Sequence, residues 1–336
     1  MSTLAGAGLD SFFRPRHCDF VIDINSRPFA APEHASWVSP ASHAFFAHLA
    51  GRPPAPVGNV AAQRAHYDAI NSARLDEALR RYPVSITPRD IAGVAVHDVA
   101  PRQPGPGTLI CLHGGAFLWG AGAGAILEAV PVAATAGMRV LAVEYRLAPE
   151  NLFPDAVDDV LAVIAALRRD GDEPIGIYGC SAGGVLTAQV VARLIAEELA
   201  PPRAIAMLHG SGVDVGGDSL ATAGLLNGTP AAADIQRLHD LPYFAGSAPT
   251  DRLVFPGEDP DMLASFPPSL LISGTRDFAA SSVAVMHRRL VAAGVDARFF
   301  LFDGMWHAHH VDVDLPESAE VYALMADFFR RHVSIT

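Results

Sequence analysis

From Pro83 onward, short aliphatic and β-branched runs alternate with stretches in which apolar residues recur every three or four positions. The runs predict strands over residues 84–87, 91–99, 108–112, 139–144, 174–178, 204–208, 269–273 and 298–302. Near-continuous hydrophobicity in TLICL, VLAV, AIAML and SLLIS predicts strands covered on both faces. Between them, residues 155–169 place Val157, Val160, Leu161, Ile164 and Leu167 on one helical face, with Asp158, Asp159 and Arg168 off it. Helices are predicted similarly over 124–136, 182–199, 281–293 and 317–331. Strand and helix in alternation specify an α/β protein with a largely parallel sheet.

Two stretches break this rhythm. The first 82 residues carry helical patterns at 39–49 and 60–81 around the Pro-rich GRPPAP, and 212–266 is a Gly/Pro/Ala-rich excursion between two strands. Both hold large apolar residues (Trp37, Phe45, Phe46, Leu225, Leu226, Tyr243, Phe244, Phe255), which solvated linkers do not need. The expected organisation is an N-terminal cap region over 1–82 and an α/β domain over 83–336, with 212–266 contributing to the cap.

Half the residues are hydrophobic and 18% are charged, enough apolar material for a large core. The 24 Lys+Arg against 36 Asp+Glu give a net charge of −12, and no basic run exceeds a pair. Nucleic acid and anionic membrane, which both demand a positive footprint, are not expected partners. Arg168-Arg169, Arg288-Arg289 and Arg330-Arg331 fit solvated helix faces. Three cysteines (Cys18, Cys111, Cys180) make no disulfide framework, and the N-terminal sequence lacks the basic-then-apolar pattern of a secretory signal. A cytoplasmic location is the expectation. The sequence does not set the oligomeric state, and a homodimer is compatible with it.

Against this background one segment carries chemistry. Gly179-Cys180-Ser181-Ala182-Gly183 is a G-x-S-x-G run lying after the strand pattern EPIGIY and before a long helical pattern. The motif needs that context: the serine sits on a tight strand-to-helix turn, flanking glycines let backbone approach, and the helix N-terminus favours developing negative charge. A serine hydroxyl is a weak nucleophile until a base takes its proton. In this architecture the chain order is serine, acid, histidine.

Of the 14 histidines, His307, His309 and His310 follow the last predicted strand, and His307 stands in a Gly-Met-Trp-His turn that can return over Ser181. His209, His239 and His287 fall on or beside helix and strand patterns, and His332 lies at the C-terminal end. His309 and His310 read as loop or core residues, and the HAHH cluster lacks the spacing of a metal site, so none is expected. SLLISGTRDF ends a strand and turns at Gly274, placing Asp277 to orient His307; Asp303, Asp312 and Asp314 compete less well. His113-Gly114-Gly115-Ala116-Phe117 follows the strand TLICL, where backbone N–H groups can receive an oxyanion. It lacks the lysine of a phosphate loop and the spacing of a dinucleotide loop.

Taken together, HGGAF (113–117), YRLAPENLFPDAVDD (145–159), GCSAGG (179–184), GTRD (274–277) and DGMWH (303–307) resemble the hormone-sensitive-lipase-like family of bacterial α/β-hydrolase esterases. VSPASHAFFAHLA (38–50) is similar to the opening of that family's cap helix. The resemblance implies an eight-stranded, mostly parallel sheet flanked by helices, with a helical cap. It makes Ser181 the nucleophile, His307 the general acid/base and Asp277 the orienting acid, with Gly114, Gly115 and Ala182 forming the oxyanion hole. Two departures stand out. Ala116 occupies the place of a third glycine, which leaves open whether its N–H or that of Gly114 donates, and Cys180 replaces the usual aspartate before the serine.

The implied activity is hydrolysis of short- to medium-chain carboxylic esters through an acyl-enzyme, with a small-molecule ester as partner and no cofactor. Phe117, Leu118 and Trp119 are expected to line the substrate pocket. A related acyl hydrolase (amidase or lactonase) shares the same triad, and a non-catalytic small-molecule receptor shares the fold. Ser181 at the elbow argues against an aspartate-nucleophile hydrolase.

Overall fold

The structure, a computed structural model, describes residues 33–50, 55–56, 58–171, 175–227 and 237–333. Cys18 and the GRPP of the Pro-rich joint lie outside them. Helices α1 (Pro40–Ala50) and α2 (Val60–Arg81) precede the strands β1 (Ser85–Ile91) and β2 (Val94–Ala100). Then follow β3 (Thr108–Leu112), α3 (Ala123–Ala136), β4 (Arg139–Val143), α4 (Asp155–Asp170), β5 (Ile175–Cys180), α5 (Ala182–Ala196) and β6 (Ala204–Leu208). The chain continues through α6 (Gly217–Leu226), the short α7 (Pro260–Leu263), β7 (Ser269–Arg276), α8 (Ala280–Ala292), β8 (Ala297–Trp306) and α9 (Pro316–His332).

The strands form one eight-stranded sheet in the order β1-β2-β4-β3-β5-β6-β7-β8. Pairing is antiparallel at β1–β2 and β2–β4 and parallel everywhere else. Alternation along each strand divides the core in two. Ile110, Leu112, Leu141, Val143, Ile177 and Met207 face α4, α5 and α8. Their neighbours Leu109, Cys111, Val140, Ala142, Tyr178 and Ala206 face α3 and α9. Every central strand is thereby apolar at successive positions, which is why the sequence shows runs rather than alternation.

The strands depart most from the sequence expectation in three places. The run 91–99 is a hairpin: Ile91 pairs with Val94 across a two-residue turn, Ala92-Gly93, in which both residues have positive φ (55° and 85°). That turn matches the twist of its strands, and a continuous hydrophobic run concealed it. β7 does not turn at Gly274 but continues to Arg276, paired with Trp306 after a register irregularity. The Gly-Met-Trp segment is accordingly the end of β8, and His307 leaves the strand directly.

The N-terminal helices dock on this frame. α1 lays Phe45 in a stack on Trp306 (centroids 5.5 Å apart), and Ser39 and Ser42 hydrogen-bond the Glu317 carboxylate on α9. α2 begins at Asn59, whose side chain accepts from the Ala62 N–H, and packs against α3. Tyr243, Phe244 and Phe255 of the 212–266 excursion are buried in the core on the α4/α5 side. Among the described residues no helix is long and apolar enough to cross a membrane.

Candidate active site

β5 ends at Cys180 and α5 begins at Ala182, leaving Ser181 alone on the turn with φ 54° and ψ −117°. A residue with a Cβ holds such a conformation only where its surroundings enforce it. Here the Ser181 N–H is bonded to Leu208 O at 2.8 Å, and the flanking glycines have no room for side chains. A Cβ on Gly179 would lie 2.2 Å from Gly183 O, and one on Gly183 would lie 1.8 Å from Leu112 O. These contacts press the turn against β3 and lift the serine above the carboxyl edge of the sheet.

At that edge the Ser181 hydroxyl donates to His307 Nε2 (2.8 Å), and His307 Nδ1–H donates to Asp277 Oδ1 (2.7 Å). A carboxylate only accepts, so this bond fixes the tautomer that leaves Nε2 free to receive the serine proton. Phe278 stacks on the His307 ring at 4.2 Å. The rival carboxylates are engaged elsewhere. Asp303 binds Trp37 Nε1 and Thr275 Oγ1, Asp312 pairs with Arg74 (2.8 Å), and Asp314 pairs with Arg81.

Asp277 is fully buried, and four donors meet its two oxygens. Oδ1 accepts from His307 and from the Ala279 N–H (2.9 Å), while Oδ2 accepts from Ser273 Oγ and from His209 Nδ1, both at 2.7 Å. Burial pushes this carboxyl up, but the two imidazoles and their hydrogen bonds outweigh it and hold it well below its ordinary 3.8. In the sequence His209 lies beside a strand pattern and carries no expected role. The available signal was its place: it follows β6 at the carboxyl edge that also carries Ser181 and Asp277. Burial drives the His209 imidazole below its ordinary value, against the pull of Asp277.

The loop after β3 is held from three sides. Tyr145 stacks on His113 (4.3 Å) and donates its hydroxyl to His113 O (2.6 Å). Arg64 of α2 donates to Leu118 O and Ala148 O and pairs with Glu150 at 2.7 Å. Arg146 in turn grips Asp159 at the start of α4 (2.8 Å), so YRLAPE and its downstream aspartates form the scaffold of this loop. The Gly114 N–H is committed to Glu128 Oε1 at 2.7 Å. That bond takes Gly114 out of the expected trio of oxyanion donors, and Gly115 and Ala116 are the loop positions left beside Ala182.

A cavity of ≈ 410 Å³ opens over these groups, reached by Ser181, His307, Trp119, Phe278, Tyr67 and Glu128. Trp119 is where the sequence placed it, stacked on Tyr67 of α2 at 4.4 Å. Phe117 and Leu118 are not: Phe117 is wholly buried against Tyr243 (3.9 Å), and Leu118 is core. The tight turn at Gly115, with φ +126°, sends these successive side chains in different directions. Tyr67, Asn71 and Arg74, all on α2, also line the cavity and were not anticipated.

Behind Ser181, Glu128 Oε2 is sealed from solvent without a hydrogen-bond partner, as is His310 Nδ1. Burial pushes the Glu128 carboxyl up to about 8, only partly offset by the Gly114 bond. It also raises the Cys180 thiol well above its ordinary value and sends the His310 imidazole well below its own.

A model of the α/β-hydrolase fold family matches residues 109–311, the span that carries the whole serine–histidine–aspartate array. The chain belongs to the α/β-hydrolase family. Among curated proteins, this α/β hydrolase is 32% identical over 262 residues to LipR of Mycobacterium tuberculosis, which carries an acetyl-hydrolase name, covering 72% of this chain and 79% of that one. Among solved structures it resembles esterase E25 (27% identity, TM-score 0.74, covering 92% of this chain and 99% of that one). It also resembles a hormone-sensitive lipase from a metagenome library (25% identity, TM-score 0.75, 87% and 98%). The hormone-sensitive-lipase-like kinship implied by the sequence motifs therefore holds.

Proposed function

We propose that this α/β hydrolase is a serine carboxylesterase acting on short- to medium-chain esters through an acyl-enzyme. The observation that carries the reading is the continuous chain Ser181–His307–Asp277, with bonds of 2.8 and 2.7 Å, opening into a cavity of ≈ 410 Å³. The acetyl-hydrolase and esterase names of its relatives point the same way.

His307 takes the Ser181 proton as the hydroxyl attacks the ester carbonyl, and Asp277 stabilises the imidazolium. The N–H groups of Gly115, Ala116 and Ala182 receive the oxyanion, each such donor contributing about 3 kcal/mol to the transition state. His307 then protonates the departing alcohol, and water activated by the same imidazole releases the acid. A cavity of this size suits a small ester flanked by the Trp119–Tyr67 stack. The α2 helix and α1 would serve as the cap over the pocket.

The test is hydrolysis of nitrophenyl acetate, butyrate and octanoate by wild type and by Ser181→Ala. Turnover by wild type that falls on the order of 10⁴-fold in the folded variant is the expected result. An inert wild type, or a variant that keeps the wild-type rate, would overturn the proposal and leave a ligand-binding role on the same fold.

A further inference from the structure

Cys180 is the residue for which the ester chemistry has no use. It stands immediately before Ser181, its side chain is buried, and it forms no disulfide. The structure surrounds it with two other donors from distant parts of the chain. Glu128 comes from α3, and His310 from the single turn that follows His307. A carboxylate oxygen of Glu128, Sγ of Cys180 and a ring nitrogen of His310 all lie within 4.8 Å of one another.

Two of these residues are short of partners. Glu128 Oε2 and His310 Nδ1 are both cut off from solvent and make no hydrogen bond, and His310 as a whole is only 5% exposed. Buried polar atoms are paired as a rule, and each exception calls for a reason. A cation supplies one here. Carboxylate, thiolate and imidazole together form a donor set suited to a borderline-soft divalent ion.

We propose that Glu128, Cys180 and His310 form a binding site for a divalent transition-metal ion of the zinc type, directly behind the oxyanion loop. Binding displaces the proton of the Cys180 thiol, and any proton on Glu128, to solvent. Geometry sets its demand. Ligands of a tetrahedral zinc, with bonds of about 2.0–2.3 Å, stand roughly 3.5 Å apart, so the donors must close in by about 1 Å. The access route is the active-site cavity, which both Glu128 and Cys180 line and which supplies water for the fourth position. Sequence spacing could not reveal the site, because its ligands come from three separate elements.

The site is coupled to the loop above it. Glu128 also holds the Gly114 N–H (2.7 Å), so an ion that draws its carboxylate inward loosens the loop carrying the proposed oxyanion donors. The site therefore inhibits when filled. This consequence rests on the esterase reading, whereas the site itself does not.

Titration of the full chain with Co²⁺ tests the site without reference to activity. The expected result is a near-ultraviolet thiolate-to-cobalt charge-transfer band that saturates at one ion per chain and is displaced by Zn²⁺. Cys180→Ala and Cys180→Ser should both abolish it, with circular dichroism checking that at least one is folded. Glu128→Gln and His310→Gln should weaken the apparent affinity about tenfold or more. His307→Ala should keep the band, since the second donor cluster among the described residues (His209, Asp277, His307) contains no sulfur. Absence of the band, or its survival in a folded Cys180 variant, overturns the site. A band with unimpaired turnover at saturating Zn²⁺ overturns only the inhibitory coupling.

Discussion

Two carboxyl groups flank Ser181, Asp277 in the interior and Glu128 at the cavity wall with Oε2 cut off from solvent, and their surroundings set them to opposite states. Asp277 meets four donors, two of them imidazoles, and is held well below the carboxylate range. Glu128 meets one backbone N–H, leaves Oε2 unpaired and is pushed up to about 8. Burial acts on both in the same direction. The difference lies in the number and charge of the donors, so residue type alone says little about which of two buried acids is ionised.

The largest expected effect breaks the Asp277 side. Asp277→Asn leaves His307 without its acceptor and should lower kcat on the order of 10⁴-fold, with His307→Ala losing at least as much and the double variant losing little more. Steady-state kinetics on one nitrophenyl ester decides this, and additive losses would show that the groups do not act as a unit.

His209→Leu sharpens the comparison by taking one of the four donors away. A fall in kcat of about 10- to 100-fold with KM nearly unchanged is expected, because a buried acceptor loses roughly 1–3 kcal/mol of hydrogen bonding. His209→Asn, which can still present an N–H, should recover part of that loss. Equal kinetics in all three proteins would make His209 mere packing.

On the other carboxyl, Glu128→Gln keeps an acceptor for the Gly114 N–H and should cost less than about tenfold in kcat/KM in metal-free buffer. Glu128→Ala orphans that N–H, at roughly 1–3 kcal/mol, and should lower both activity and stability. Indistinguishable variants would detach Glu128 from the loop.

The smallest effect is read by denaturation against pH. A carboxyl held below 3.8 in the folded chain stabilises it fully above that value, and the contribution is lost as pH falls through and below it. Wild type should therefore lose stability more steeply below pH 3.8 than Asp277→Asn does. Parallel curves would mean that the histidines do not favour the ionised form.

The legible parts of this molecule were those in which neighbours along the chain are neighbours in space. The strand-turn-helix around Ser181 and the loop after β3 follow from local glycines and hydrophobic runs, and the largely parallel sheet follows from the alternation of strand and helix. The hairpin at Ala92-Gly93 was hidden because both of its arms are apolar at the turn. His209, Glu128 and Tyr67 were missed because their partners are remote: His209 is 68 residues from Asp277. Phe117 and Leu118 were misassigned because a positive φ upstream redirects side chains in a way that residue order does not announce.

The wall of the cavity and the groups beneath it are written on different stretches of the chain. Ser181, Asp277, His307 and the loop they face lie within residues 109–311, whereas Tyr67, Asn71 and Arg74 come from α2, ahead of that span. Arg64 ties the two together through backbone carbonyls and Glu150, contacts indifferent to what the rest of α2 displays toward the cavity. A helix anchored this way is a replaceable part: its inward-facing residues can be redrawn, in the laboratory or by descent, while the anchor and everything below it stay the same.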